Sequence, residues 1–294
     1  MKKRKRSSEE RRNARTAYLM IAPFFILFFV FVLLPILANF MFSLTNFNLV
    51  SMKFVGLKNY IRMFSDKLLH KAIWNTVVYA FFNVFLIIVL SFILAVLLNR
   101  AGKAIKFARA CMFLPYVTSM VAVAMIWLWL YDPNGGIFNR VLVALGFEPV
   151  NWLLQSSTAM GSIIVMSVWK NLGYNMVLFL AGLQGVPSSH YEAAALDGAS
   201  KFQQVIHITI PQMKHVFFLV LVTNLVSSFN VFESVNVMTK GGPLNSTTTI
   251  VHQLYTRSFS EYQIGYGSAI AIMLSLILLV GMVFLYRNNA ESET

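Results

Sequence analysis

Ser189-His190-Tyr191-Glu192-Ala193-Ala194-Ala195-Leu196-Asp197-Gly198-Ala199-Ser200-Lys201-Phe202-Gln203, running on to Ile210-Pro211, is a polar interruption between two long apolar segments. Ser189 and Glu192 have the spacing of a capping box, in which a hydroxyl and a carboxylate satisfy each other's orphan backbone donors. Ala193 to Leu196 are strong helix formers, and Gly198 suits the positive φ that closes a helix. Ser200 and Gln203 repeat the capping-box spacing, and Phe202, Val205, Ile206 and Ile210 fall on one face of the helix that follows. Pro187 ends the segment before, while Pro211 stops the second helix and suits the first turn of the next element. The pattern predicts two short helices joined by a tight turn and facing water.

Around this loop almost everything is apolar. Of 294 residues, 57% are hydrophobic and only 12% charged, with a mean hydropathy of +0.66. A soluble domain has about twice that share of charge, so the composition is that of an all-α integral membrane protein. Six stretches have the ~20 apolar residues that a span requires: about 17–42, 74–98, 111–131, 160–182, 213–238 and 266–286. The first is too long for a signal peptide and reads as an anchor; Pro23 and Pro35 within it are expected to bend it. A cytoplasmic tail of 1–16, a permease-like span domain of 17–286 with its water-facing loop at about 185–212, and a tail of 287–294 complete the layout.

Net charge is +13, but eight of the 24 basic residues precede Ala17. Such a cluster beside a span is a topology signal rather than a nucleic-acid footprint, so no nucleic acid is expected as a partner. With the N-terminus inside, inner segments hold 15 basic residues and outer loops 8, which places both termini and the 185–212 loop in the cytoplasm. Of the outer loops, 43–73 contains Phe54-Val55-Gly56-Leu57-Lys58-Asn59-Tyr60, mixed enough for short interfacial helices. The loop at 132–159 opens on the turn cluster Asp132-Pro133-Asn134-Gly135-Gly136. Cys111, the only cysteine, lies in an apolar run and reads as core filling; it excludes an internal disulfide.

Glu192, Ala193, Ala194, Asp197, Gly198, Ala199 and Pro211 follow the E-A-A-x-x-D-G-A…P pattern, and the loop thereby resembles the EAA loop of binding-protein-dependent ABC importer permeases. The six-span layout, Phe54 to Tyr60, Gly241-Gly242-Pro243 and Asn245-Ser246-Thr247 extend the likeness to the maltose-type carbohydrate permeases. The resemblance implies a subunit of an ATP-driven importer for a sugar or oligosaccharide in a bacterial cytoplasmic membrane. Its implied partners are a second homologous permease, two ATPase subunits that bind ATP and Mg, an extracytoplasmic solute-binding protein, and lipid. The helix Ser189–Leu196 would sit in a cleft of the ATPase, with Gly198 letting the chain turn away and Glu192, Ala193, Ala194, Asp197, Gly198, Ala199 and Pro211 as the coupling residues.

No Gly-x-x-x-x-Gly-Lys-Ser/Thr occurs, so ATP would have to be handled by another subunit. The five histidines have no metal-ligand spacing, and no catalytic constellation is legible; a transport subunit rather than an enzyme is expected. Inside the apolar spans, Ser167, Lys170, Asn171 and Tyr174 form one helical stripe, and Thr223, Ser227, Asn230 and Ser234 another, with Asn224 and Ser228 beside it. Hydroxyls and amides suit a sugar, and Trp169 and Tyr174 suit stacking on its apolar face. The same residues also suit interhelical hydrogen bonds. Other solutes such as glycerol phosphate, for which Lys170 would serve, and an ATP-independent carrier are the alternative readings.

Overall fold

In the computed structural model, which describes residues 8–291, the regular structure is helical, with irregular connections such as 145–158. No strand occurs among the described residues; the closest is an isolated bridge between Thr45 and Phe54. Lys2 to Arg6, and the end of the 287–294 tail, lie outside the described residues. Among the described residues, four helices are long and apolar enough to cross a membrane: Thr16–Ser43, Lys67–Leu97, Ala159–Gln184 and Ile264–Arg287. Two bent helix pairs raise the number to six if each counts as one span.

The residues up to Phe64, with Arg257–Met273, form one compact unit. In it, α1 (Ser8–Phe28) passes through a π-helical turn at Phe29–Leu33 into α2 (Leu34–Ser43). The wider turn sits just before Pro35, whose missing N–H would interrupt an ordinary α ladder there. Beyond α2, α3 (Lys58–Met63) is the short helix expected from Phe54 to Tyr60. Its Asn59 amide donates to the Ser43 and Thr45 carbonyls, each at 2.8 Å, and Tyr60 shares a 2.7 Å hydroxyl bond with Ser43.

The second unit comprises Ser65–Thr256 and the chain from Leu274. Its first helix, α4 (Lys67–Leu97), begins about two turns earlier than the expected 74, because the Asp66 carboxylate caps the Leu68 and Leu69 N–H groups at 3.0 Å. The expected straight span 111–131 is instead α5 (Lys103–Val117) and α6 (Met120–Leu130), bent by 101°. Thr118 and Ser119 are extended there, and the Thr118 hydroxyl bonds the Pro115 carbonyl at 2.6 Å. Cys111, expected in the core, is exposed on α5. After α7 (Ile137–Ala144) comes α8 (Ala159–Gln184), close to the expected 160–182.

Then follow α9 (Ser188–Leu196), α10 (Lys201–Gln204), a π turn at Val205–Thr209, α11 (Ile210–Gln212) and α12 (Lys214–Phe229). Pro211 does not stop the helix, as expected from sequence; it sits near the start of α11, and the break, a 70° bend, comes at Met213. The expected span 213–238 also ends early, at Phe229, where the Asn230 amide bonds the Val226 carbonyl and a separate α13 (Glu233–Met238) begins. The last helices are α14 (Ile250–Tyr255) and α15 (Ile264–Glu291).

Helix α8 is the axis of this unit. Near its start it packs Ile163, Ile164, Met166 and Val168 with Tyr79 and Ile87 of α4, Val123 and Trp127 of α6, and Val235 of α13. Near its end it packs Met176, Phe179, Leu180 and Leu183 with Phe92 of α4, Met213 and Val220. Between these two apolar layers the same helices are polar.

Candidate functional site: a polar cavity and an exposed loop

The cavity between the layers has a volume of about 410 Å³. Asn171, Tyr174, Asn224, Ser227, Asn230 and Ser234, which the two sequence stripes single out, all line it, together with Thr223, Ser228 and Ser167. Lys170 and Trp169 are not among its lining residues. Asn175 and Asn224 face each other as a reciprocal amide pair, at 2.7 and 3.3 Å. The Tyr79 hydroxyl donates to Ser167 at 2.7 Å, and the Asn83 amide donates to Ser228 at 3.0 Å. These bonds fix most of the wall.

Two buried polar atoms of the wall have no hydrogen-bond partner among the described residues: Asn83 Oδ1 and Ser234 Oγ. Asn83 is 4% exposed and Ser234 1%. A buried acceptor left unmatched costs about 1–3 kcal/mol, so it marks a place where something else supplies the bond. On the open side, Thr223, Ser227 and Asn230 are exposed along α12 and its end. The Tyr116 and Tyr174 rings stack at 4.4 Å and 12°, and both line the cavity. Glu233 is the only charged lining residue, so the cavity offers a cation, or neutral hydroxyls, a better surroundings than it offers an anion.

Sequence reasoning missed the contribution of α4. Tyr79 and Asn83 stand four residues apart in an otherwise apolar run, and that spacing puts them on one helix face. The position of Lys170 was equally hidden. It is 6% exposed, and its ammonium donates to the carbonyls of Pro115, Tyr116 and Thr118 at 3.3, 3.0 and 2.9 Å.

The loop of α9 and α10 shows the opposite character. The capping box expected at Ser189 and Glu192 does not form. Pro187 takes the cap position with no side-chain bond, which places Ser189 inside the helix. The second box does form: Gln203 N–H donates to Ser200 Oγ at 3.3 Å and Ser200 N–H to Gln203 Oε1 at 2.8 Å. Between them Gly198 has φ +81°, and the Gly198 and Ala199 N–H groups return to the Ala195 and Ala194 carbonyls at 3.1 and 2.9 Å. That pairing is the Schellman closure.

Glu192, Ala193, Asp197, Gly198 and Pro211 are exposed, and Ala194 and Ala199 half-buried. Tyr191 ties the first helix to Thr209 at 3.0 Å, and Gln204 reaches the Ala199 carbonyl at 3.2 Å. The polar side of the second helix is thus turned in, with Gln204 and Thr209 buried, while Leu196 and Phe202 stand 90% and 73% exposed.

A family model described as binding-protein-dependent transport system inner membrane component matches residues 87–290. The probable ABC transporter permease protein YurN of Bacillus subtilis (strain 168) is 37% identical over 91% of this chain and 93% of its own length. The trehalose/maltose transport system permease protein MalF of Thermococcus litoralis is 35% identical over 94% of this chain and 93% of its own. Among solved structures, a bacterial ABC transporter involved in the import of the acidic polysaccharide alginate aligns with a TM-score of 0.87 at 22% identity, covering 96% of this chain and 98% of that one. With four to six apolar helices, the chain is a multi-pass membrane protein.

Proposed function

This chain belongs to the binding-protein-dependent transport system inner membrane component family, and from that membership and the cavity we infer a permease that passes a sugar or oligosaccharide across a bacterial cytoplasmic membrane. Each bent pair then counts as one crossing, giving six, with both termini inside. The polar cavity of α4, α8 and α12 is the chain's half of the solute path. A second, homologous permease supplies the other half and faces the exposed Thr223, Ser227 and Asn230 edge. An extracytoplasmic binding protein delivers the solute to the outer loops.

The observation that carries the solute class is the lining. Amide and hydroxyl groups with two unmatched atoms, Asn83 Oδ1 and Ser234 Oγ, suit the donor-and-acceptor hydroxyls of a sugar. The stacked Tyr116 and Tyr174 rings suit its apolar face. A phosphorylated solute such as glycerol phosphate fits less well, because the one charged lining group is the Glu233 carboxylate and Lys170 has its donors on carbonyls.

The drive enters through the α9–α10 loop. Glu192, Ala193, Ala194, Asp197, Gly198, Ala199 and Pro211, with Leu196 beside them, form the part that docks on one of two ATPase subunits, which bind ATP and Mg. Closure of the ATPases then moves the loop and rocks the spans. Purification of the tagged chain from its native membrane tests this reading. ATPase subunits are expected to co-purify, and in a thermal screen a neutral oligosaccharide is expected to stabilise the associated binding protein. Uptake that survives ATP depletion, with no ATPase in the preparation, contradicts it.

A further inference from the structure

The bend between α5 and α6 leaves the last carbonyls of α5, at its negative end, outside the helical ladder. Lys170 of α8, more than fifty residues later, meets three of them: Pro115 at 3.3 Å, Tyr116 at 3.0 Å and Thr118 at 2.9 Å. An ammonium has three N–H donors, so all of them are in use. A buried charge is costly unless something offsets it, and here three carbonyl oxygens do so at hydrogen-bond distance, with the Glu233 carboxylate adding an attraction. Lys170 is thus oriented toward the break and has no donor left for a solute.

The neighbours of Lys170 on α8 show what the break is for. Gly173 lies where an added Cβ would run into the Met112 backbone, so its lack of a side chain sets how closely α5 approaches α8. Tyr174, one turn beyond Lys170, receives the Tyr116 ring at 4.4 Å with 12° between planes. Tyr116 is also the residue whose carbonyl Lys170 holds at 3.0 Å, and the ammonium lies 5.7 Å from its ring centroid. Asn171, between them, lines the cavity with both tyrosines.

We propose that Lys170 is a positioning residue: by holding the carbonyls at the α5–α6 break it fixes Tyr116 against Tyr174 and so builds the aromatic wall of the cavity. The consequence for solute rests on reading the cavity as the solute path; the geometric claim does not.

Replacing Cys111, the only cysteine, by Ser gives a background in which Tyr116→Cys and Tyr174→Cys can be joined by a short bifunctional thiol reagent in the intact transporter. Crosslinking is expected with Lys170 present and to fall by about tenfold in Lys170→Met, since hydrogen bonds to a charged group are lost. In a transporter with both tyrosines intact, Lys170→Met is expected to raise the solute KM about tenfold while basal ATP hydrolysis and subunit recovery stay unchanged. Undiminished crosslinking in Lys170→Met overturns the proposal, and if KM rises all the same, Lys170 touches the solute directly. If the Met variant fails to assemble, Lys170→Gln, which keeps two N–H donors, is read instead: an intermediate crosslinking yield supports the proposal and a wild-type yield overturns it. Because crosslinking needs no solute, it stands or falls independently of what the cavity carries.

Discussion

The mid-chain cavity and the α9–α10 loop each invert the usual placing of residues, and they do so in opposite directions. In the cavity, amides and hydroxyls are buried in an apolar unit, and the bonds that join one helix to another are made by side chains far apart in sequence, such as Asn83 with Ser228 and Asn175 with Asn224. In the loop, apolar side chains stand exposed on a polar frame whose capping bonds are local, such as Ser200 with Gln203 and Ala199 with Ala194. A buried polar surface with unmatched atoms answers to a hydroxylated solute. An exposed apolar one answers to a protein. On the function proposed above, the cavity carries and the loop drives.

The largest effect expected from breaking this contrast is at Gly198. A Cβ there meets open space, so Gly198→Val introduces no clash; what it strains is the backbone, at φ +81°. A β-branched residue resists that conformation by about 1–2 kcal/mol or more, enough to depopulate the native loop about 5–30-fold. Uptake should fall by a comparable factor while membrane insertion, read by cell fractionation, is unchanged. Next in size is Asn83→Leu, which removes an unmatched acceptor from the cavity. It should raise the solute KM about tenfold, with ATP hydrolysis still coupled to uptake.

A smaller effect sharpens the loop alone. Ser200→Ala removes a formed cap and should cost about 1 kcal/mol of local stability, seen as faster amide exchange in α10. Ser189→Ala removes no cap and should stay within about 0.5 kcal/mol. The smallest effect lies outside both regions, at His252 of α14. Burial pushes its imidazole below the ordinary histidine range, so the folded chain prefers it neutral. Stability from this group is complete above about pH 6.5 and declines as pH falls, because the unfolded chain binds the proton more readily. Protection factors for amide exchange around 247–253, taken relative to the free-peptide rate at each pH, should therefore fall toward pH 5.

What could be read from sequence divides along the same line. The loop was legible because its signals are local: alanines, a glycine at a left-handed position, and a serine three residues before a glutamine. The Ser189 box failed for a local reason too, since Pro187 fixes where α9 begins and so shifts Ser189 past the cap. The polar stripes of α8 and α12 were legible as periodicity, yet the role of Lys170 was not. Periodicity placed it beside Asn171 and Tyr174, whereas its ammonium turns to carbonyls of α5. The 101° bend was hidden because an apolar run reads the same whether it continues straight or folds back. Asn83 went unnoticed because a single amide in a long apolar helix has no meaning until Ser228 is brought beside it.

The division of labour is tested most directly by titrating solute against uptake and ATP hydrolysis in proteoliposomes of the intact transporter, with wild-type, Asn83→Leu and Gly198→Val chains side by side. If the cavity carries and the loop drives, saturating solute restores uptake by Asn83→Leu to near the wild-type rate, while Gly198→Val stays low at every concentration. Rescue of Gly198→Val by solute, with a fixed low maximal rate in Asn83→Leu, would contradict it.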